Sequence, residues 1–334
     1  MQVYAGIDEA GYGPLLGPLV VCRSVLAFGG EQKVLWDKQP DVWQVLEKAV
    51  CKKLVGRKGR VTVGDSKRLI TKAAGIKHLE TGVLCFARLL QNWAELNGEA
   101  NLGTLLDMMG EKSHRSMAGL HWYQEQQTNQ WDALPTASTD GEIAIAAGML
   151  RREMQHQQVT LLDLAPALVL EDRFNQMASA TRNKASTSFT FVAGHLHAIW
   201  KQWGAHHPVV TVDRQGGRTR YLRVLSVNFP AAAIRILDES AERSAYQLTQ
   251  GQRQMSVTFE TKGEEKHFPI ALASMLCKYL RELFMMRMNR FFAEHVEGLK
   301  PTAGYTQDGR RWLDDVRPHL ERIGICEEEL IRVL

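Results

Sequence analysis

Runs of apolar and β-branched residues at 3–7 (VYAGI) and 19–26 (LVVCRSVL) predict two buried strands, joined by a turn rich in glycine and proline. A short strand is expected at 61–63, ahead of the loop Gly64-Asp65-Ser66-Lys67, and residues 71–93 carry a helical pattern. From about 95 to 156 the texture turns polar and Gln-rich, with Trp122, Tyr123 and Trp131 and turn residues around Pro135 to Gly141. That stretch reads as a mostly helical insertion or small subdomain. Strand character returns at 158–164 and helix at 186–203, where Phe189, Val192, Leu196, Ile199 and Trp200 fall near helical spacing. Pro208-Val209-Val210-Thr211-Val212 predicts a short buried strand ending at Asp213, with further strands at 222–229 and 255–260. A long helix is expected over 270–294, where Leu272, Leu276, Leu280, Phe284 and Met288 recur every four residues as a buried face. The C-terminal 40 residues look helical with turns. Strands alternating with helices, and acidic residues at strand ends, predict an α/β domain.

Composition narrows this only a little. A chain of 334 residues, 45% hydrophobic and 23% charged, is that of a globular protein with one large domain and an insertion, or two domains. No apolar run approaches the ~20 residues that span a bilayer. The sequence opens directly on a strand, without a basic leader, and its five scattered cysteines lack metal-ligand spacing. A cytoplasmic protein without a membrane partner is the expectation; the oligomeric state is left open. The net charge of +4 is mild, but Lys52, Lys53, Arg57, Lys58, Arg60, Lys67 and Arg68 cluster, as do Arg214, Arg218, Arg220 and Arg223. Such clusters attract phosphate backbones, and a solvated basic surface is the competing reading.

The chemistry begins at I-D-E-A-G-Y-G-P, residues 7–14. Adjacent carboxylates at the end of an apolar strand repel each other and resist desolvation unless a cation neutralises them. Gly11 and Gly13 allow the backbone to approach a ligand closely. His195/His197 and His206-His207 invite a transition-metal reading, but they lack partner ligands at fitting spacing and read as core or surface histidines.

The run D-E-A-G-Y-G-P-L-L-G-P-L-V-V resembles the opening motif of the ribonuclease HII (type 2 ribonuclease H) family, D-E-x-G-R-G-P followed by small residues and valines. Asp65-Ser66-Lys67-Arg68-Leu69 is similar to that family's D-S-K-K-L. V-V-T-V-D, closing at Asp213, resembles its strand ending in a catalytic aspartate. K-G-E at 262–264 resembles K-G-D, and A-L-A-S-M-L-C-K at 271–278 resembles A-A-A-S-I-x-A-K, with Ser274 ten residues after Glu264. Gly304-Tyr305-Thr306 resembles G-Y-x-T. The motifs keep the family order from residue 8 to residue 306, and the insertion at 95–156 has no assigned counterpart.

The resemblance implies a ribonuclease H-like fold, a mixed β-sheet flanked by helices with a mostly helical insertion. Residues 1–94 and 157–294 would form the catalytic domain, 95–156 the insertion, and 295–334 a C-terminal helical segment completing the substrate groove. It implies Asp8, Glu9, Asp213 and Glu264 as catalytic residues and ligands of two Mg²⁺ or Mn²⁺ ions ~3.5–4 Å apart, one activating water and one stabilising the leaving 3′-oxygen. Glu264 stands where the family has aspartate, and Glu265 is the neighbouring alternative; Glu282 on the long helix is assigned a supporting role. The implied substrate contacts are Gly11, Tyr12, Gly13, Ser66, Lys67, Lys278 and Tyr305. Tyr12 replaces the family arginine and removes its charge-assisted phosphate contact, which Arg214 or Arg218 is expected to supply. The implied activity is endonucleolytic hydrolysis of RNA in RNA–DNA hybrids, or of ribonucleotides in duplex DNA, leaving 3′-hydroxyl and 5′-phosphate ends. Two alternatives remain open: a nuclease of this fold redirected to another nucleic acid, and a catalytically silent nucleic-acid-binding protein. A partner-binding scaffold would instead expose an apolar patch on the Trp-bearing insertion.

Overall fold

β1 (Gln2–Ala10) and β2 (Leu19–Phe28) pair antiparallel, with Asp8 opposite Cys22, near the middle of a seven-stranded sheet. The computed structural model describes residues 1–332 apart from 31, 57–58, 97, 117–119, 124–130, 182 and 215. Two-residue strands β3 (Val50–Cys51) and β4 (Val61–Thr62) pair separately. The main sheet is completed by β5 (Val159–Val169), β6 (Val209–Asp213), β7 (Ala233–Glu239), β8 (Arg243–Gln250) and β9 (Arg253–Glu260). Its order is β5-β2-β1-β6-β9-β8-β7, with β6 parallel to β1 and β9 and the other pairs antiparallel. This is the expected α/β class, a mixed sheet flanked by helices.

Helices cover both faces because alternate strand residues are apolar on each. Among them are α1 (Val42–Val45), α2 (Lys77–Ala87), α3 (Leu102–Met108) and α4 (Asp140–His156). Next come α5 (Glu171–Thr181), α6 (Lys184–Trp203), α7 (Leu222–Asn228), α8 (Gly263–Lys266), α9 (Phe268–His295) and α10 (Thr306–Val316). Tyr4 of β1 and Cys22 of β2 share one buried core with α2, α3, α4 and α9. Val3, Ala5 and Ile7 share the other with Phe174 of α5, Phe189 of α6 and Leu225 of α7. Trp122 and Tyr123 are buried in the first core and Trp131 packs against it, so these aromatics are core rather than the exposed patch a scaffold would need.

The sequence expectations fail at three places. Residues 222–229 form α7 rather than a strand: Tyr221, Leu225 and Phe229 are buried four residues apart while Val227 points to solvent, a helical period hidden among β-branched residues. The helix expected over 71–93 is confined to α2, because Gly75, at φ +52°, and the Thr71–Gly75 bridge turn the chain before Lys77. β7 and β8 had no expected counterpart. Their hairpin lies at the sheet edge, where the largely exposed polar run of β7 does not look like a buried strand.

α9 packs directly across β1 because residue 6 is glycine. A Cβ there would lie 2.2 Å from the backbone of Pro269 and Ile270, and backbone cannot yield as a side-chain tip does. Ser24 Oγ donates to the Pro269 carbonyl at 2.7 Å, fixing the same end of the helix. Gly6→Ala is therefore expected to lower unfolding stability by about 2 kcal/mol. Urea denaturation checks this, and an unchanged midpoint would mean that the helix–strand approach is slack.

Candidate active site

Strand geometry decides where the acidic residues go. Ile7 is in register with Val212, so Asp8 and Asp213 follow side by side at the ends of adjacent parallel strands. Asp213 is in turn in register with Glu260, at the end of β9. Asp8 shares its face with Tyr4 and therefore with α9; Glu9, the next residue, faces the other way and accepts a hydrogen bond from Ser188 of α6. The adjacent pair is thus divided between the two faces of the sheet.

On the α9 side, Ser274 links the carboxylates. Its hydroxyl donates to Glu264 Oε2 at 3.0 Å and lies 3.2 Å from Ser66 Oγ, and its presence favours the ionised form of Asp8. Asp8 Oδ1 accepts the Glu9 N–H at 2.7 Å, and Asp213 Oδ1 accepts the Gly263 N–H at 2.7 Å. Burial raises the carboxyl pKa of Asp8 well above its ordinary range, and the neighbouring Asp213 raises it further, with Glu264 adding to the effect. Burial likewise raises Asp213, and raises Glu264, on which Asp65 and Asp213 also act. Lys67, exposed at the loop after β4, opposes these shifts on Asp213 and Glu264.

Two groups in this cluster escaped the sequence reading. Glu260 accepts from Lys266 Nζ at 2.5 Å and from His267 Nε2 at 2.9 Å, and the His267 contact leads in lowering its pKa to about 2. His267 Nδ1 then accepts from the Tyr4 hydroxyl at 2.6 Å, so one neutral tautomer satisfies both contacts. The second is Arg281, buried in α9. It donates to the carbonyls of Pro18 at 2.7 Å, Leu16 at 2.9 Å and Ala303 at 3.0 Å. An acidic residue closing a strand pattern marked Glu260; nothing local marked Arg281, whose acceptors are remote in sequence.

The loop after β1 is held from two further sides. Leu15 and Leu16 donate their N–H groups to the Gly304 carbonyl at 2.8 and 3.2 Å, bringing the segment before α10 beside it. Arg332 donates its backbone N–H to Leu15 O at 2.9 Å and a guanidinium N–H to Pro14 O. Gly11, at φ +91°, sits where a Cβ would meet the Pro18 carbonyl at 2.4 Å, while Gly13 is exposed with open space around it. Tyr12 packs its ring on the α6-side core. Burial raises its phenol pKa, Glu9 raises it further and Arg218 opposes them. Tyr305 is 47% exposed at the start of α10.

Other expected contacts are differently placed. Ser66 is buried against Ser274, and Lys278 pairs with Glu282 at 2.5 Å one helical turn on. Arg214 Nη1 donates to Ala241 O at 2.6 Å, and Arg218 stacks over Phe189. In the other basic cluster Lys52 lies over Trp43 and Arg60 donates to Glu47 O; Arg57 and Lys58 lie outside the described residues. Glu265 accepts from Lys52 Nζ through its backbone carbonyl. His195 is a core residue, its Nδ1 accepting from Arg23 at 2.8 Å and its Nε2 donating to Val21 O at 2.9 Å, with a pKa lowered by burial to about 3. His197 stacks on Phe229 with ring centroids 4.2 Å apart.

Among the described residues, no three histidine, cysteine, aspartate or glutamate side chains converge closely enough to hold one ion. The donor chemistry nonetheless suits a hard divalent cation. Asp8, Asp213 and Glu264 are carboxylates gathered on one face, each resisting ionisation, and a cation would relieve that resistance.

No family model matches the sequence, and no curated protein does. Among solved structures, the chain is similar to ribonuclease HII of Archaeoglobus fulgidus in its PCNA complex, at 15% identity and a TM-score of 0.42, over 99% of this chain and 94% of that one. It is similar to ribonuclease H2 from Pyrococcus horikoshii OT3 at 12% identity and a TM-score of 0.45, over 98% and 92%. It is also similar to Bst-RNase HIII in complex with Mn²⁺, at 14% identity and a TM-score of 0.43, over 99% and 66%.

Proposed function

We propose that this chain is a divalent-metal-dependent endonuclease of the ribonuclease H type 2 kind, hydrolysing RNA in RNA–DNA hybrids or ribonucleotides in duplex DNA. The observation that carries the reading is the juxtaposition of Asp8 and Asp213, each one residue beyond the Ile7–Val212 pair of adjacent parallel strands, with Glu264 close enough to act on Asp8 and held by Ser274. Burying such a group beside a polyanionic substrate is costly without a cation. The order of the sequence motifs supports the same reading. We assign the catalytic unit to residues 1–94 and 157–294, with 95–156 as an insertion and 295–334 bordering the substrate groove.

In this reading Asp8, Asp213 and Glu264 would hold Mg²⁺ or Mn²⁺, with Glu9 reaching over from the opposite face on release from Ser188. When bound, the metal supplies charge neutralisation and an activated water for in-line displacement at phosphorus, leaving 3′-hydroxyl and 5′-phosphate ends. The protein's own part is positioning. Ser274 orients Glu264, the Glu9 N–H orients Asp8, the Gly263 N–H orients Asp213, and Lys67 moderates the negative field at the open side. The rigid Gly11–Pro18 loop and Tyr305 offer backbone groups and a ring to a ribose and its neighbour.

The test compares an RNA–DNA hybrid, a duplex with one ribonucleotide and an all-DNA duplex, each with Mg²⁺, with Mn²⁺ and with chelator. Metal-dependent cleavage confined to the first two is expected. Tight binding without cleavage of any of them would favour a silent binding protein, and cleavage of DNA alone a redirected nuclease.

A further inference from the structure

The loop that leaves β6 immediately after Asp213 carries Arg214 and Arg218, and the two are placed very differently. Arg214 is built into the turn between β7 and β8: its Nη1 donates to Ala241 O at 2.6 Å and its Nη2 lies 3.5 Å from Ser244 Oγ. Its backbone N–H is taken by Glu260 O at 2.9 Å. Its Nε is shielded and without a hydrogen-bond partner among the described residues, but both terminal nitrogens of the fork face the turn, so the fork could meet a ligand only by dismantling it.

Arg218 has no such employment. Its guanidinium lies over the rings of Phe189 at 5.3 Å and Tyr221 at 5.8 Å. Tyr221 is itself stacked on Phe259, centroids 3.6 Å apart and planes within 2°. The platform is buried and stiff, and the loop above it is pinned where Ser244 Oγ donates to Thr219 O at 2.6 Å and Tyr221 N–H donates to the Tyr246 hydroxyl at 2.9 Å. The cation–π contacts hold the guanidinium over the rings but supply no hydrogen-bond acceptor oxygen for its N–H donors. Nη1 is shielded from solvent and has no hydrogen-bond partner among the described residues. Leaving a charged donor in that condition costs free energy that a ligand oxygen would recover. Tyr12, from the loop after β1, packs on the same core beside it, and Glu9 and Arg218 both act on its phenol.

We propose that Arg218 grips one backbone phosphate of the bound nucleic-acid strand, on the α6 side of the carboxylate group, with Tyr12 as the apolar wall of that subsite. The inference rests on the nuclease reading only for the identity of the ligand as nucleic acid. A planar fork backed by aromatic rings suits two phosphate oxygens at once, which an ammonium cannot reproduce.

The experiment is a salt titration of binding, by fluorescence anisotropy of a labelled RNA–DNA hybrid with Ca²⁺ present, between about 50 and 300 mM KCl. Arg218→Gln is expected to weaken binding about tenfold and to reduce the slope of log K against log salt by about 0.9, the value for one phosphate. Arg218→Lys keeps the charge and the fold, so its slope stays near wild type while its affinity falls about threefold for want of the fork. Arg214→Gln is expected to leave the slope unchanged. A wild-type slope and affinity in Arg218→Gln overturn the proposal, as does a wild-type protein that binds no hybrid or is fully displaced by free mononucleotide. If Arg218→Gln fails to fold, Arg218→Lys decides: wild-type affinity in it overturns the proposal. Cleavage by the wild type with no effect of Arg218 sinks this inference alone. An Arg218-dependent slope without cleavage of any substrate sinks the nuclease reading alone.

Discussion

Asp8→Asn is expected to lower metal-dependent cleavage by about three orders of magnitude, roughly 4 kcal/mol of barrier, while making the metal-free protein more stable at neutral and alkaline pH. The two halves share one cause. Asp8 is buried beside Asp213 and Glu264, and its ionised form is disfavoured first by burial and then by the charge of Asp213. The amide keeps the shape and the Glu9 contact but carries no charge. A carboxyl whose folded pKa lies above its unfolded value contributes stability below the ordinary carboxylate range and loses it as pH rises through the raised value. In chelator, the wild type should therefore lose melting temperature as pH rises above the ordinary carboxylate range, and Asp8→Asn should lose less. Mg²⁺ or Mn²⁺ should restore the wild type and do little for the variant. Wild-type cleavage by the variant, or an equal rise in melting temperature with metal, would remove Asp8 from the metal site.

Arg281→Met should destabilise the protein by about 4 kcal/mol, since three buried carbonyls lose their donor at roughly 1–3 kcal/mol each. The methionine fills much of the volume but leaves the carbonyls of Leu16, Pro18 and Ala303 without their donor. Desolvation of the guanidinium works the other way, since burial lowers the pKa of Arg281, but three satisfied acceptors outweigh it. Unfolding in guanidinium chloride measures the loss, and limited proteolysis should find new cleavage between residues 11 and 18. A loss under about 1 kcal/mol would mean that the Gly304 and Arg332 contacts hold the loop without Arg281.

How far the sequence carried depended on how local the signal was. Asp8 and Asp213 were legible because each ends a short apolar run, and both lie at strand ends. Even the division of Asp8 from Glu9 followed from the period of two in a strand, a signal present in the sequence and not used. α6 and α9 were legible from their spacing. α7 was not, since three apolar residues four apart compete with the β-branched residues between them. The α6-side surroundings of Arg218 were invisible for another reason: Phe189, Tyr221 and Phe259 come together only through the sheet. Arg281 and Arg332 likewise read as ordinary charges until their carbonyl partners are known.

The contact of Arg332 with Pro14 and Leu15 has a consequence in time. It joins positions separated by 318 residues. Closing so long a loop is entropically slow, and contacts of such separation form late in folding. The loop after β1 therefore reaches its final shape only once residue 332 has joined the fold. The local β1–β2 pairing can set the carboxylates of β1 in place well before that contact closes, so the loop beside them is among the last parts of the fold to be fixed.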